Sequence, residues 1–112
     1  MIYVAGGQDA VPAPASLRNL WALDLSKPQA GWRILEPWPG PARVTPIVAA
    51  QDGALYVMGG SEILPAGQGM PGLNPPRRCL TDAYRYRPGD GWKRVRDLPR
   101  PASAAPAVAC GP

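Results

Sequence analysis

The sequence predicts an all-β protein assembled from a repeated four-stranded antiparallel unit, and three observations carry that prediction. Leu55-Tyr56-Val57-Met58-Gly59-Gly60 repeats Ile2-Tyr3-Val4-Ala5-Gly6-Gly7, four apolar residues closed by a glycine pair in both copies. Sixteen prolines and thirteen glycines punctuate the 112 residues, which excludes long helices and favours many short segments between turns. Aligning Trp32 with Trp92 keeps nineteen residues in register without a gap, matching Pro39 to Pro99, Pro41 to Pro101, Ala42 to Ala102, Pro46 to Pro106, Val48 to Val108 and Ala49 to Ala109.

The elements follow in order. Ile2–Gly7 reads as a strand buried on both faces that stops where the backbone turns without a Cβ in the way. Gln8 to Ser16, rich in alanine and proline, is a loop. In the next segment Trp21, Leu23 and Leu25 alternate with Ala22 and Asp24, the period of a strand with one better-buried face, expected to be that of the tryptophan. Ser26 to Gly31 carries turn chemistry, and Trp32-Arg33-Ile34-Leu35 is a short strand closing the unit. Pro37-Trp38-Pro39-Gly40-Pro41 is a stiff connector that cannot pair as a central strand. Val44 to Ala50 is an apolar run, and Gln51-Asp52-Gly53 is a tight turn that folds it back antiparallel onto Leu55–Gly60. Asn19-Leu20-Trp21 then has its counterpart in Asp82-Ala83-Tyr84, and Pro88-Gly89-Asp90-Gly91 replaces the turn at Lys27 to Gly31. A unit of this length with four short strands has the form of a propeller blade.

Composition narrows the function classes. The net charge is +4, with eight Arg or Lys against three Asp in residues 77–100. Those charges alternate with Tyr84, Tyr86, Val95 and Leu98 along expected strands, the pattern of a solvated sheet face rather than a nucleic-acid surface. No segment approaches the ~18 apolar residues of a membrane helix. Cys79 and Cys110 have neither disulfide-framework nor metal-site spacing. Met1 leads straight into a strand, without the basic and apolar regions of a secretory leader. The chain has no histidine, which excludes a Ser-His-Asp triad and a histidine-ligated copper site within it.

A glycine pair ending one strand, Trp21 or Tyr84 in the next and Trp32 or Trp92 opening the last resemble the Kelch repeat. That resemblance implies Kelch-type β-propeller blades. On it, residues 1–36 hold three strands of one blade, 43–96 one complete blade and 103–112 the first strand of the next, an incomplete propeller. Fewer than about three such repeats rarely bury their faces alone. The expected partners are therefore the remaining blades or other copies of the chain.

More narrowly, Asn19-Leu20-Trp21-Ala22-Leu23-Asp24-Leu25 with Gly31-Trp32, and Thr81-Asp82-Ala83-Tyr84 with Gly91-Trp92 and Leu98-Pro99, resemble blades of the bacterial N-acetylneuraminate mutarotases and their cyclically permuted relatives. The resemblance implies interconversion of sialic acid anomers, a small sugar acid as ligand, no metal or other cofactor, and a periplasmic or extracytoplasmic location. Its functional glutamate and arginine match Glu62, behind Gly59-Gly60-Ser61, and Arg78, ahead of Thr81-Asp82-Ala83. Arg78 stands two residues further from the threonine than the family pattern has it, so Arg77 is an equal candidate. All three lie in the insert Ser61 to Arg78, whose eighteen residues exceed ordinary loop length. One carboxyl group can mediate the proton exchange of mutarotation, and an arginine fork suits the sugar acid's carboxylate. A non-catalytic Kelch scaffold that binds a protein or carbohydrate, and an inactive truncated product, are the alternative readings.

Overall fold

A computed structural model describes residues 1–10, 15–69 and 71–110. The fold is all-β, with nine strands in three antiparallel sheets and one single-turn 3-10 helix at Pro28–Ala30 among these residues. The strands are β1 (Ile2–Ala5), β2 (Leu20–Leu23), β3 (Trp32–Leu35), β4 (Ile47–Gln51), β5 (Ala54–Met58), β6 (Ser61–Ile63), β7 (Arg77–Cys79), β8 (Ala83–Arg87) and β9 (Gly91–Val95). They form a three-stranded sheet β1-β2-β3, a four-stranded sheet β4-β5-β8-β9 and a two-stranded ribbon β6-β7. Sheets of this size and hand-over are consistent with incomplete propeller blades. Part of the expected loop from Gln8 to Ser16, residues 11–14, lies outside the described residues.

Asp52 and Gly53 both take positive φ, +51° and +73°, so the Asp-Gly step makes the tight turn that joins β4 to β5. The resulting ladder runs from Ile47 opposite Met58 to Gln51 opposite Ala54. Both glycine pairs do the same local work. Gly6 and Gly59 have φ of +70° and +63°, and each donates its N–H to the carbonyl of the residue ahead of the next strand of its sheet, Asn19 before β2 or Asp82 before β8. A Cβ at either position would run into a carbonyl oxygen of the connector, Arg43 for Gly6 and Ala102 for Gly59. Glycine is therefore required twice, for the turn and for the approach of the next segment.

The core lies where the two larger sheets meet. Leu20, Trp38, Leu55, Val57 and Tyr84 form one buried cluster. Trp38 is fully buried, donates Nε1–H to Pro41 O at 2.8 Å and stands edge-on to Trp92, 6.1 Å between centroids. The Pro37–Pro41 connector thus supplies the centre of the packing as well as the link between sheets. An aromatic pair in such geometry adds about 0.5–1.5 kcal/mol beyond area burial.

Two expectations change. In β2 the buried residues are Leu20 and Ala22, while Trp21 is 42% exposed and Leu25 sits in a turn beyond the strand. Alternation fixes which residues share a face; here the face with the small Ala22 is turned to the neighbouring sheet. β1 is not buried on both faces as β5 nearly is: among the described residues β5 lies between β4 and β8, and β1 borders β2. Residues 103–110, expected as an opening strand, take no strand pairing among the described residues, and 111–112 lie outside them. A strand exists only beside another, and the expected partners of a next blade's first strand belong to that blade.

Candidate functional site

The insert between β5 and β8 leaves the glycine pair as a ribbon rather than a loop. Ser61 pairs with Cys79, Glu62 with Arg78 and Ile63 with Arg77, and Leu64 N–H to Pro76 O extends the ladder. The sequence conceals this ribbon because each strand has only three residues and Arg-Arg-Cys has no apolar alternation. What holds it is main chain: Val44 and Ser61 exchange two hydrogen bonds, 2.8 and 3.0 Å, and Gly60 N–H reaches Ala102 O at 2.7 Å.

Strand alternation sorts the candidate residues onto two faces. Glu62 and Arg78 are direct cross-strand partners and form an ion pair from Arg78 Nη2 to Glu62 Oε2. The carboxylate is the more sheltered partner, its side chain 24% exposed against 57% for the guanidinium. Arg77 points to the opposite face with the buried Ser61 and Ile63. There it lines two adjoining cavities of about 340 and 400 Å³, which share Val44 and Thr45 as walls. Among the described residues Arg77 has no side-chain hydrogen bond or ion pair, so its fork is available to a ligand. Glu62 lines neither cavity.

Beneath the ribbon lies a buried ionic network centred on Arg43, which the sequence reading missed. Arg43 is fully buried and pairs through both terminal nitrogens with the Asp82 carboxylate, at 3.0 and 2.7 Å. It also donates to Gly59 O at 3.0 Å and Pro41 O at 3.1 Å, and its guanidinium lies between the Trp38 and Tyr84 rings, 5.5 and 5.6 Å from their centroids. Tyr84 O–H completes the set by donating to Asp82 at 2.6 Å. Arg43 thereby ties the connector to the glycine pair from which Ser61 and Glu62 start. The only trace in the sequence is one arginine in an apolar connector and an aspartate two residues before a tyrosine.

Burial alone would push the Asp82 carboxyl up, but hydrogen bonds from Arg43 and Tyr84 and the Arg43 charge outweigh it and hold it below the usual carboxylate range. The Tyr84 hydroxyl is pushed up to about 12, first by burial and then by its hydrogen bond to Asp82 and the aspartate's charge. Both shifts keep the network in one ionic form across the neutral range.

No known family model matches the chain. It is 37% identical over 78 residues, 69% of its length, to the N-acetylneuraminate epimerases of Haemophilus influenzae strains PittEE and 86-028NP. It is 30% identical over 93 residues, 81% of its length, to the N-acetylneuraminate epimerase of Pasteurella multocida strain Pm70. The aligned region is 19% of the Haemophilus proteins and 22% of the Pasteurella protein. The chain therefore spans about a fifth of the length of these curated relatives, and over most of its own length it is similar to proteins named N-acetylneuraminate epimerase.

Proposed function

We propose that this chain supplies Kelch-type propeller blades to a sugar-acid mutarotase of the N-acetylneuraminate epimerase kind, with Glu62 and Arg78 as its share of the site. The observation that carries this reading is the Glu62–Arg78 ion pair, a carboxylate and a guanidinium side by side on a ribbon held rigidly at its base. The similarity to proteins named N-acetylneuraminate epimerase supports the substrate class.

Mutarotation consumes nothing and needs only proton traffic. The Glu62 carboxylate takes the proton of the anomeric hydroxyl and delivers it to the ring oxygen as the bond from that oxygen to the anomeric carbon breaks and the carbonyl forms. Rotation of the opened carbonyl and reversal of the same steps close the ring in the other configuration. Arg78, the more exposed partner, turns its fork to the sugar acid's carboxylate and leaves Glu62 free to exchange the proton. Arg77, on the other face of the ribbon, is not part of this pair.

The test is exchange between the anomers of N-acetylneuraminate, followed by NMR with the assembled protein. Glu62→Gln is expected to lower the accelerated exchange by about 10²–10⁴-fold, the usual contribution of one acid-base group. Arg78→Ala is expected to raise the half-saturating sugar concentration more than Arg77→Ala does. Exchange at the uncatalysed rate with the unaltered protein, or full acceleration in Glu62→Gln, overturns the reading.

A further inference from the structure

The ribbon β6-β7 has two faces, and the one turned away from Glu62 and Arg78 carries a charge with nothing to balance it. Arg77 sits there, half-buried and directly across the ribbon from the buried Ile63. Its neighbour Arg78 has a carboxylate beside it, whereas the Arg77 side chain has no ion pair among the described residues. Arg77 lines a cavity of about 340 Å³ with Val44, Ile63 and Pro75 as apolar walls and Thr45 and Gln8 as polar groups. A second cavity of about 400 Å³ adjoins it across Val44, Thr45 and Arg77. No other charged side chain lines either one among the described residues.

An independent observation marks the same wall. Thr45 has φ of +50°, and it is both β-branched and followed by Pro46. Each feature disfavours the left-handed region, the first by crowding at Cβ and the second by pushing the preceding residue towards extended backbone. The conformation is pinned from both sides, by the two hydrogen bonds between Val44 and Ser61 and by Ala104 N–H to Thr45 O at 2.9 Å. Backbone held in so sparsely populated a region gathers at ligand sites, and this residue lies on the wall that both cavities share.

We infer that the smaller cavity binds a small monocarboxylate with an apolar body, its carboxylate on the Arg77 fork and its carbon skeleton against Val44, Ile63 and Pro75. Charge sets the class: one guanidinium without a second cation balances one negative charge and leaves a phosphate dianion half-neutralised. Shape sets it again, because the planar fork matches a planar carboxylate with two parallel hydrogen bonds. The site lies on the opposite face of the ribbon from the Glu62–Arg78 pair, and it does not rest on the sugar chemistry.

Calorimetric titration of the assembled protein with isobutyrate tests it, with isobutyramide as a probe of the same shape without the charge. Isobutyrate is expected to bind saturably and at least about tenfold more tightly than the amide or inorganic phosphate. Arg77→Gln should weaken its binding by about tenfold or more. Arg77→Lys keeps the charge on the strand but loses the fork; it should weaken binding by a smaller factor, and it carries the test if the glutamine variant fails to fold. N-acetylneuraminate in excess should leave isobutyrate binding unchanged. No saturable binding, phosphate bound as tightly as isobutyrate, full affinity in both Arg77 variants, or displacement by the sugar acid overturns the proposal.

Discussion

The two larger sheets share one plan and differ at two matched positions. Ahead of β8, Asp82 is met by Arg43 and Tyr84 in a hydrogen-bonded network; ahead of β2, the half-buried Asn19 has a buried Oδ1 without a partner among the described residues, and Trp21 stands 42% exposed where Tyr84 is buried. The difference lies in the partner. Arg43, ahead of β4, brings a counter-ion to Asp82, so a charge is buried there, while the matching position ahead of β2 holds a neutral amide. A buried ionic pair of this kind adds little net stability over an apolar replacement and is costly to break.

The largest expected effect breaks the satisfied side. Arg43→Met leaves the Asp82 carboxylate buried without its counter-ion and should cost about 3–5 kcal/mol, read from urea unfolding. Next come the ends of the pH range. Because the folded Asp82 carboxyl is held low, its contribution is whole above the unfolded carboxylate value near ~4 and is lost as pH falls through the lower folded value. Tyr84 works the other way: its contribution is whole below about 10 and is lost as pH rises towards about 12. Thermal melts should therefore weaken at both extremes, and Tyr84→Phe should remove the alkaline limb alone.

On the orphaned side the sign reverses. Asn19→Leu removes a buried oxygen that has no partner, so it should be neutral or raise stability by about 1 kcal/mol, where Asp82→Leu strands the Arg43 charge and destabilises. Smallest of all is Arg94→Ala, which loses an exposed pair to Asp97 and should leave the melting temperature unchanged. An Asn19→Leu variant as unstable as Asp82→Leu would show that the two positions are not alternative states of one site.

The main-chain plan was legible in the sequence, because glycine pairs, the Asp52-Gly53 turn and the aligned prolines are local signals that main-chain sterics dictate. Glu62 and Arg78 were singled out through the family resemblance alone, and the ribbon sets them opposite one another. The ribbon itself was not, since three-residue strands held by connector carbonyls leave no side-chain periodicity. Arg43 was hidden for a related reason: its partners Gly59, Asp82 and Tyr84 are far along the chain, and an isolated arginine reads as surface until the connector folds it inward. The buried face of β2 was inverted because alternation gives parity without saying which parity meets the neighbour.

The glycine contacts of the fold carry one more consequence. Because Gly6 abuts Arg43 O and Gly59 abuts Ala102 O, the nearest gauge of the rise from one module to the next is a main-chain atom. Side chains along the rim are then at liberty to diverge, as the lengthened second insert has, without altering that pitch. Any further module carrying the same two glycines would inherit the spacing unchanged.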